Sequence, residues 1–127
     1  MVKNPSEVLR GFIRSVPDFP KKGILFRDIT PLLLDDTAFS DAIEVFYRRY
    51  LDKGIDKIVS IESRGFILGS VLAYRLGAGF VPVRKPNKLP AETIREAYML
   101  EYGEDALEMH RDAISRGDSV LIIDDLL

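Results

Sequence analysis

The sequence predicts an α/β domain with a mainly parallel central sheet flanked by helices. Three observations predict it. Val120-Leu121-Ile122-Ile123 is a short apolar run without alternation, which suits a strand buried on both faces of a parallel sheet. Lys57–Ile61, Phe66–Leu76 and Phe80–Arg84 read as strand, helix and strand, a βαβ unit with a right-handed crossover. The length of 127 residues, 46% apolar and 30% charged, fits one domain with a real core. Residues 1–36 read as an N-terminal helix and a hood loop, and 37–127 as the core.

The elements follow in order. Asn4-Pro5-Ser6-Glu7 is a helix start: Asn4 caps, Pro5 suits the first turn and Glu7 favours the positive end of the dipole. Val8, Leu9, Phe12 and Ile13 give that helix an apolar face, and Pro17 ends it. Residues 17–36 hold three prolines and a glycine, which prevent long regular structure. Their large apolar side chains, Phe19, Ile24, Leu25, Phe26 and Ile29, must still pack on something. They form either a lid over a core or a hood over a flat apolar ligand. Residues 38–53 carry apolar positions at steps of three and four, with Gly54 as the stop. Pro82 cannot donate a ladder bond, so its strand is expected at an edge or a bulge. Residues 85–96 read as a long polar loop. Tyr98–Tyr102 and Ala106–Met109 read as a hairpin joined by Gly103-Glu104-Asp105. A short helical turn over His110–Ser115 leads to the final strand.

Composition excludes several functions. The net charge of −2, from 18 basic and 20 acidic residues, lacks the basic excess of a nucleic-acid binder. There is no cysteine and one histidine, so thiolate chemistry is excluded and a zinc site is not expected. The first ten residues lack the apolar stretch of a signal peptide, and no apolar run has membrane-spanning length. The expected location is the cytoplasm, with no membrane partner.

Two sites stand out. Glu62-Ser63-Arg64-Gly65 joins a strand to a helix, where backbone N–H groups and the positive dipole end face outward. Arg64 adds a forked cation suited to phosphate, and Gly65 allows close backbone approach. The alternative is an ordinary turn with a surface arginine. Asp124-Asp125 follows the last strand, at the end where parallel sheets bind ligands. The pair could ligate Mg²⁺, grip ribose hydroxyls, or merely end a strand in solvent. Glu101, placed in a strand, would need burial to serve as an acid or base. Gly77-Ala78-Gly79 fails as a dinucleotide fingerprint because position 82 is proline. His110-Arg111-Asp112 lacks the rest of a kinase, and Arg116-Gly117-Asp118 is most simply a turn.

Four stretches, in order and at family spacing, resemble adenine phosphoribosyltransferases of the type I phosphoribosyltransferase fold. They are Pro17–Pro31 (PDFPKKGILFRDITP), Ile61–Gly69 (IESRGFILG), Arg84–Pro90 with Tyr98–Gly103, and Val120–Leu127. The resemblance implies transfer of the 5-phosphoribosyl group from phosphoribosyl pyrophosphate (PRPP) to adenine, giving AMP and pyrophosphate in purine salvage. It implies that Phe26 stacks on adenine while the backbone of Leu25 and Arg27 reads its edge. Glu62, Ser63 and Arg64 become the pyrophosphate loop, strained at the Glu62–Ser63 peptide. Lys88 and Tyr102 join the loop that closes over PRPP, and Glu101 the proton transfer. Asp124 and Asp125 hold the ribose hydroxyls near Mg²⁺, which arrives with PRPP and has no direct protein ligand. A homodimer is implied as well.

In the family, Asp-Asp-Leu-Leu precedes a glycine-rich turn that cradles the 5′-phosphate, then a helix and further strands. The expectation is therefore an N-terminal fragment that binds PRPP poorly, exposes one face of its last strand and has little or no transferase activity. A non-catalytic purine- or nucleotide-binding regulator on the same fold, or a remnant that does not fold alone, are the rival readings.

Overall fold

The structure, a computed structural model, describes residues 4–126; Leu127, the last residue of the final motif, lies outside them. The chain divides into two compact units, one ending at Arg49 and one beginning at Tyr50.

The first unit opens with α1 (Pro5–Arg10), where the Asn4 side chain accepts the Ser6 amide at 2.9 Å. The helix expected to reach Pro17 stops at the Gly11 cap. Its would-be continuation is claimed by antiparallel pairing instead: β1 (Arg14–Pro17) lies beside β2 (Leu25–Asp28), with Val16 opposite Phe26. The hood segment is thus partly regular. Its bend is held locally, because the Asp18 carboxylate accepts the Gly23 amide at 2.8 Å and Gly23 sits at φ +90°. Asp28 then accepts both the amide and the hydroxyl of Thr30, starting α2 (Thr30–Leu34). The Asp35 carboxylate accepts the Ala38 amide at 2.8 Å in the first turn of α3 (Asp36–Tyr50). Leu32, Ala38 and Ala42 form a small buried core, with Leu9, Phe12, Leu33 and Phe39 against it. Phe12 therefore packs inward although it lies beyond the helix.

In the second unit, β3 (Lys57–Ile61), α4 (Arg64–Leu76) and β4 (Gly79–Val83) make the predicted parallel βαβ unit. The left-handed Gly77, at φ +71°, ends the helix as its sequence position suggests. The strand order is β4-β3-β7, with β7 (Val120–Ile122) parallel to β3. Pro82 lies on an edge strand of this sheet, where its missing donor is tolerated. Ile58 and Leu72 are fully buried, and Val59, Leu68, Ala73, Val81 and Ile123 are buried with them. A Cβ on Gly69 would lie 2.0 Å from the Ser60 hydroxyl, so helix and strand approach at a distance only glycine allows.

Three expectations change in this unit. The hairpin is longer than predicted: β5 (Thr93–Leu100) pairs along its whole length with β6 (Gly103–His110). Residues 93–96 are strand rather than loop, and Gly103 opens the returning strand rather than the turn. The helical turn expected over His110–Ser115 is reduced to one hydrogen-bonded turn, in which the Ala113 amide donates to the His110 carbonyl at 3.2 Å. The strand runs on through His110, and Asp118 ties the following bend by accepting the Ser115 amide at 2.8 Å while pairing with Lys57 at 3.0 Å. The final strand is not buried on both faces. Ile123 is buried, but Val120 and Ile122 point the other way, and Ile122 is 57% exposed.

Candidate active site

Parallel pairing of β3 with β7 sets the ends of the two strands side by side, which brings residues 62–65 next to Asp124-Asp125. The backbone continues the register one step, since the Ile123 amide donates to the Val59 carbonyl at 3.0 Å. Ser60, fully buried, donates its hydroxyl to the Ile123 carbonyl at 2.8 Å and pins the chain just before the two acids.

Arg64 begins α4, and its Nε lies 3.0 Å from Asp125 Oδ2. The Asp125 side chain is only 7% exposed and the Arg64 side chain 42%, so the guanidinium spans from a buried acid to solvent. Asp124 folds back, its Oδ1 accepting the Asp125 amide at 2.8 Å. A Cβ on Gly65 would come within 2.9 Å of that same oxygen. Asp124 therefore rests against the N-terminus of a thirteen-residue helix, a favourable place for negative charge. Burial first, then Asp124, pushes the Asp125 carboxyl above its ordinary range, while Arg64 pulls it down. Two acids and a forked cation thus converge where a helix presents its amides. Such a site suits a polyphosphate and vicinal hydroxyls.

The peptide between Glu62 and Ser63 is cis. Ser63 is exposed and its hydroxyl does not cap the helix. Glu62 points elsewhere. Its Oε1 accepts the Lys85 amide at 2.6 Å and Arg84 Nε at 3.2 Å. These bonds, the Lys85 amide foremost, hold its carboxyl below the ordinary range, with Lys88 adding to the effect through its charge. Lys88 itself is exposed.

Glu101 and Tyr102, expected in a strand, form the two-residue connection at the tip of the β5–β6 hairpin, because the register runs to Leu100 opposite Gly103. Both are exposed, Tyr102 at 93%. In the first unit, Leu25, Phe26 and Arg27 all lie on β2. Leu25 and Arg27 are two apart, so their backbone groups point to the same edge of the strand. Phe26 meets Phe19 edge-to-face at 5.2 Å between centroids, and Arg27 donates to the Ser15 hydroxyl.

The phosphoribosyl transferase domain family matches residues 33–127. Adenine phosphoribosyltransferases from Geotalea daltonii and Anaeromyxobacter dehalogenans are each 59% identical to the chain over 121 residues, 95% of its length. That match spans 71% of the first relative and 70% of the second. The chain belongs to the adenine phosphoribosyltransferase family. Its fold is the type I phosphoribosyltransferase fold. The adenine phosphoribosyltransferase of Thermoanaerobacter pseudethanolicus superposes with a TM-score of 0.86 at 54% identity, covering 91% of this chain and 67% of that one. The Saccharomyces cerevisiae enzyme, solved with adenine and an imino-altritol bisphosphate, gives 0.89 at 41% identity, covering 95% and 71%.

Sequence reading did not single out two groups beside these residues. Lys85 donates to the Tyr98 hydroxyl at 2.8 Å and to the Asp105 carboxylate, and those contacts, Asp105 first, raise the Lys85 pKa well above its ordinary value. Glu108 is an acidic residue only 9% exposed. Its signal was available: strand alternation puts position 108 on the same face as Ala106, which is buried.

Proposed function

We propose that the chain carries adenine phosphoribosyl transfer. N9 of adenine attacks C1′ of PRPP, and the bond from C1′ to the pyrophosphate oxygen breaks with its electron pair leaving on pyrophosphate. The N9 proton passes to a carboxylate, and AMP and pyrophosphate result. Positive charge builds on the ribose ring in the transition state, so the chain's task is to position two reactants and balance charge. The single observation that carries the reading is the Arg64–Asp125 pair, with Asp124 against Gly65, at the ends of adjacent parallel strands.

In this reading Ser63, Arg64 and the first turn of α4 bind pyrophosphate. Glu62 shapes that loop from behind, through Arg84 and Lys85. Asp124 and Asp125 accept from the ribose hydroxyls. Lys88 and Tyr102 close over PRPP, and Glu101 at the hairpin tip takes the N9 proton. Phe26 stacks on adenine, and the Leu25 and Arg27 backbone reads its edge. Among the described residues no group of three or more acidic or histidine side chains could hold a metal. Magnesium would arrive on PRPP and lie near Asp124 and Asp125, whose negative charge suits a hard cation, without a direct protein ligand. Bound there, magnesium would neutralise charge on the leaving pyrophosphate. A cytoplasmic homodimer completes the reading; it rests on the family, with half-exposed Val8 and Ile24 of the first unit as candidate interface groups. No helix among the described residues is long and apolar enough to cross a membrane.

Calorimetry with adenine and with magnesium pyrophosphate tests the assignment. Phe26→Ala is expected to weaken adenine about tenfold or more and leave pyrophosphate unchanged, whereas Arg64→Ala does the reverse. A parent chain that binds neither ligand would contradict the reading.

A further inference from the structure

We infer that Glu108 is a positioning residue that holds Lys88 at the pyrophosphate site. The inference rests on the function proposed above. The segment before Lys88 is fastened at every backbone donor. The Arg84 amide donates to the Glu108 carbonyl at 2.9 Å, and the Glu108 amide returns to the Arg84 carbonyl at 2.7 Å. The Lys85 amide goes to Glu62, Pro86 has no donor, and the Asn87 amide goes to Glu108 Oε1 at 2.9 Å. No amide from 84 to 87 is left for an anion. The two basic side chains here are also committed, Arg84 to Glu62 and Lys85 to Asp105 and Tyr98. Lys88 is the exposed cation this platform delivers.

Glu108 supplies the last fastening. Its carboxylate is nearly buried, and its described partners are an amide and, at 3.4 Å, the Thr93 hydroxyl. Asn87, the residue it grips, sits at φ +68°. That left-handed residue turns the chain immediately before Lys88; asparagine tolerates the conformation better than most non-glycine residues, and the Glu108 contact fixes the turn. Without the carboxylate, Asn87 relaxes to extended backbone and Lys88 is carried off its position beside the pyrophosphate loop.

The test is magnesium pyrophosphate binding to the full chain, read by calorimetry, in Glu108→Ala, Glu108→Gln, Lys88→Ala and the Glu108→Ala/Lys88→Ala double variant. Lys88→Ala is expected to weaken binding roughly tenfold. Glu108→Ala should weaken it by a similar factor, and Glu108→Gln should restore most of it, since the amide oxygen still accepts from Asn87. The double variant should bind no worse than Lys88→Ala alone, because the two residues act through one contact. Adenine binding should be unchanged throughout. Additive losses, or a parallel loss of adenine, would mean that Glu108 only supports the fold and would overturn the inference. So would weakened binding in Lys88→Ala with none in Glu108→Ala. Lys88→Ala binding like the parent would instead remove the proposed role of Lys88, and the inference with it. If Glu108→Ala does not fold, Glu108→Gln decides through the Asn87 and Lys88 amides: unchanged exchange and unchanged binding support the carboxylate-oxygen contact, and a loss of binding as large as that of Lys88→Ala overturns it.

Discussion

At the scale of single residues, Asp125 at the end of β7 works against the stability of the fold at neutral pH. The Asp125 carboxyl is raised by burial and by Asp124, so the folded chain holds its proton more tightly than the unfolded chain does. The stability it contributes is fully present below the unfolded value, near 3.8, and is lost as pH rises through the folded value. Asp125→Asn is therefore expected to melt no lower than the parent at neutral pH while losing affinity for magnesium pyrophosphate. A melting temperature several degrees lower would show that the Arg64 ion pair outweighs burial. Gly69 gives a second prediction. A Cβ there meets the Ser60 hydroxyl at 2.0 Å and the half-buried Phe80 ring at 3.1 Å, and Ser60 is fully buried. Gly69→Ala should destabilise by about 3 kcal/mol in urea unfolding, an overpacking cost near the upper end of that class. Residues 62–65 and 124–125 were legible because each group is contiguous and sits at a strand end. Strand alternation made the burial of Glu108 legible, but not its contact with a left-handed turn twenty-one positions away.

At the scale of elements, the β5–β6 hairpin and the segment leading to it are tied by ionised groups. Glu62 and Asp105 have carboxyls below their ordinary values of 4.5 and 3.8, and Lys85 is raised above 10.5. The sign is the reverse of that for Asp125. The acids contribute stability above their unfolded values and lose it as pH falls through the folded ones, while Lys85 contributes below 10.5 and loses it as pH rises further. Amide exchange at Lys85 and along β5 should stay slow from about pH 5 through neutral and quicken below about pH 4 relative to the intrinsic rate. Exchange that follows the intrinsic rate across that range would show that the contacts do not hold the hairpin. The βαβ unit was legible because its apolar runs are short and bounded by Gly54, Gly77 and a strand-end turn. The first helix was overextended because Phe12 and Ile13 continue its apolar spacing. Long-range pairing with Leu25–Asp28 overrides that local pattern, and periodicity carries no information about a partner strand. The hairpin turn was displaced for a related reason: Gly103 signals a turn, yet at φ +146° it serves as the first residue of the returning strand.

At the scale of the whole molecule, the second unit carries a buried core around Ile58 and Leu72, and this core holds the strand ends in register. Leu72→Ala should cost about 3 kcal/mol and loosen the pyrophosphate loop with it. Fold class and family were legible because four motifs keep their order and spacing across both units. The apolar run alone suggests two buried faces for the final strand, whereas the family pattern leads to one exposed face, and Val120 and Ile122 lie on an open one. A run of β-branched residues shows strand propensity but does not reveal how many layers cover it. The proposed function places PRPP where residues 62–65 meet Asp124 and Asp125. The most direct test is an NMR titration of the labelled chain with PRPP and magnesium. Amide shifts are expected to concentrate at Ser63, Arg64, Gly65, Asp124 and Asp125, with a second set at Lys88. Shifts absent there, or confined to other surfaces, would contradict it.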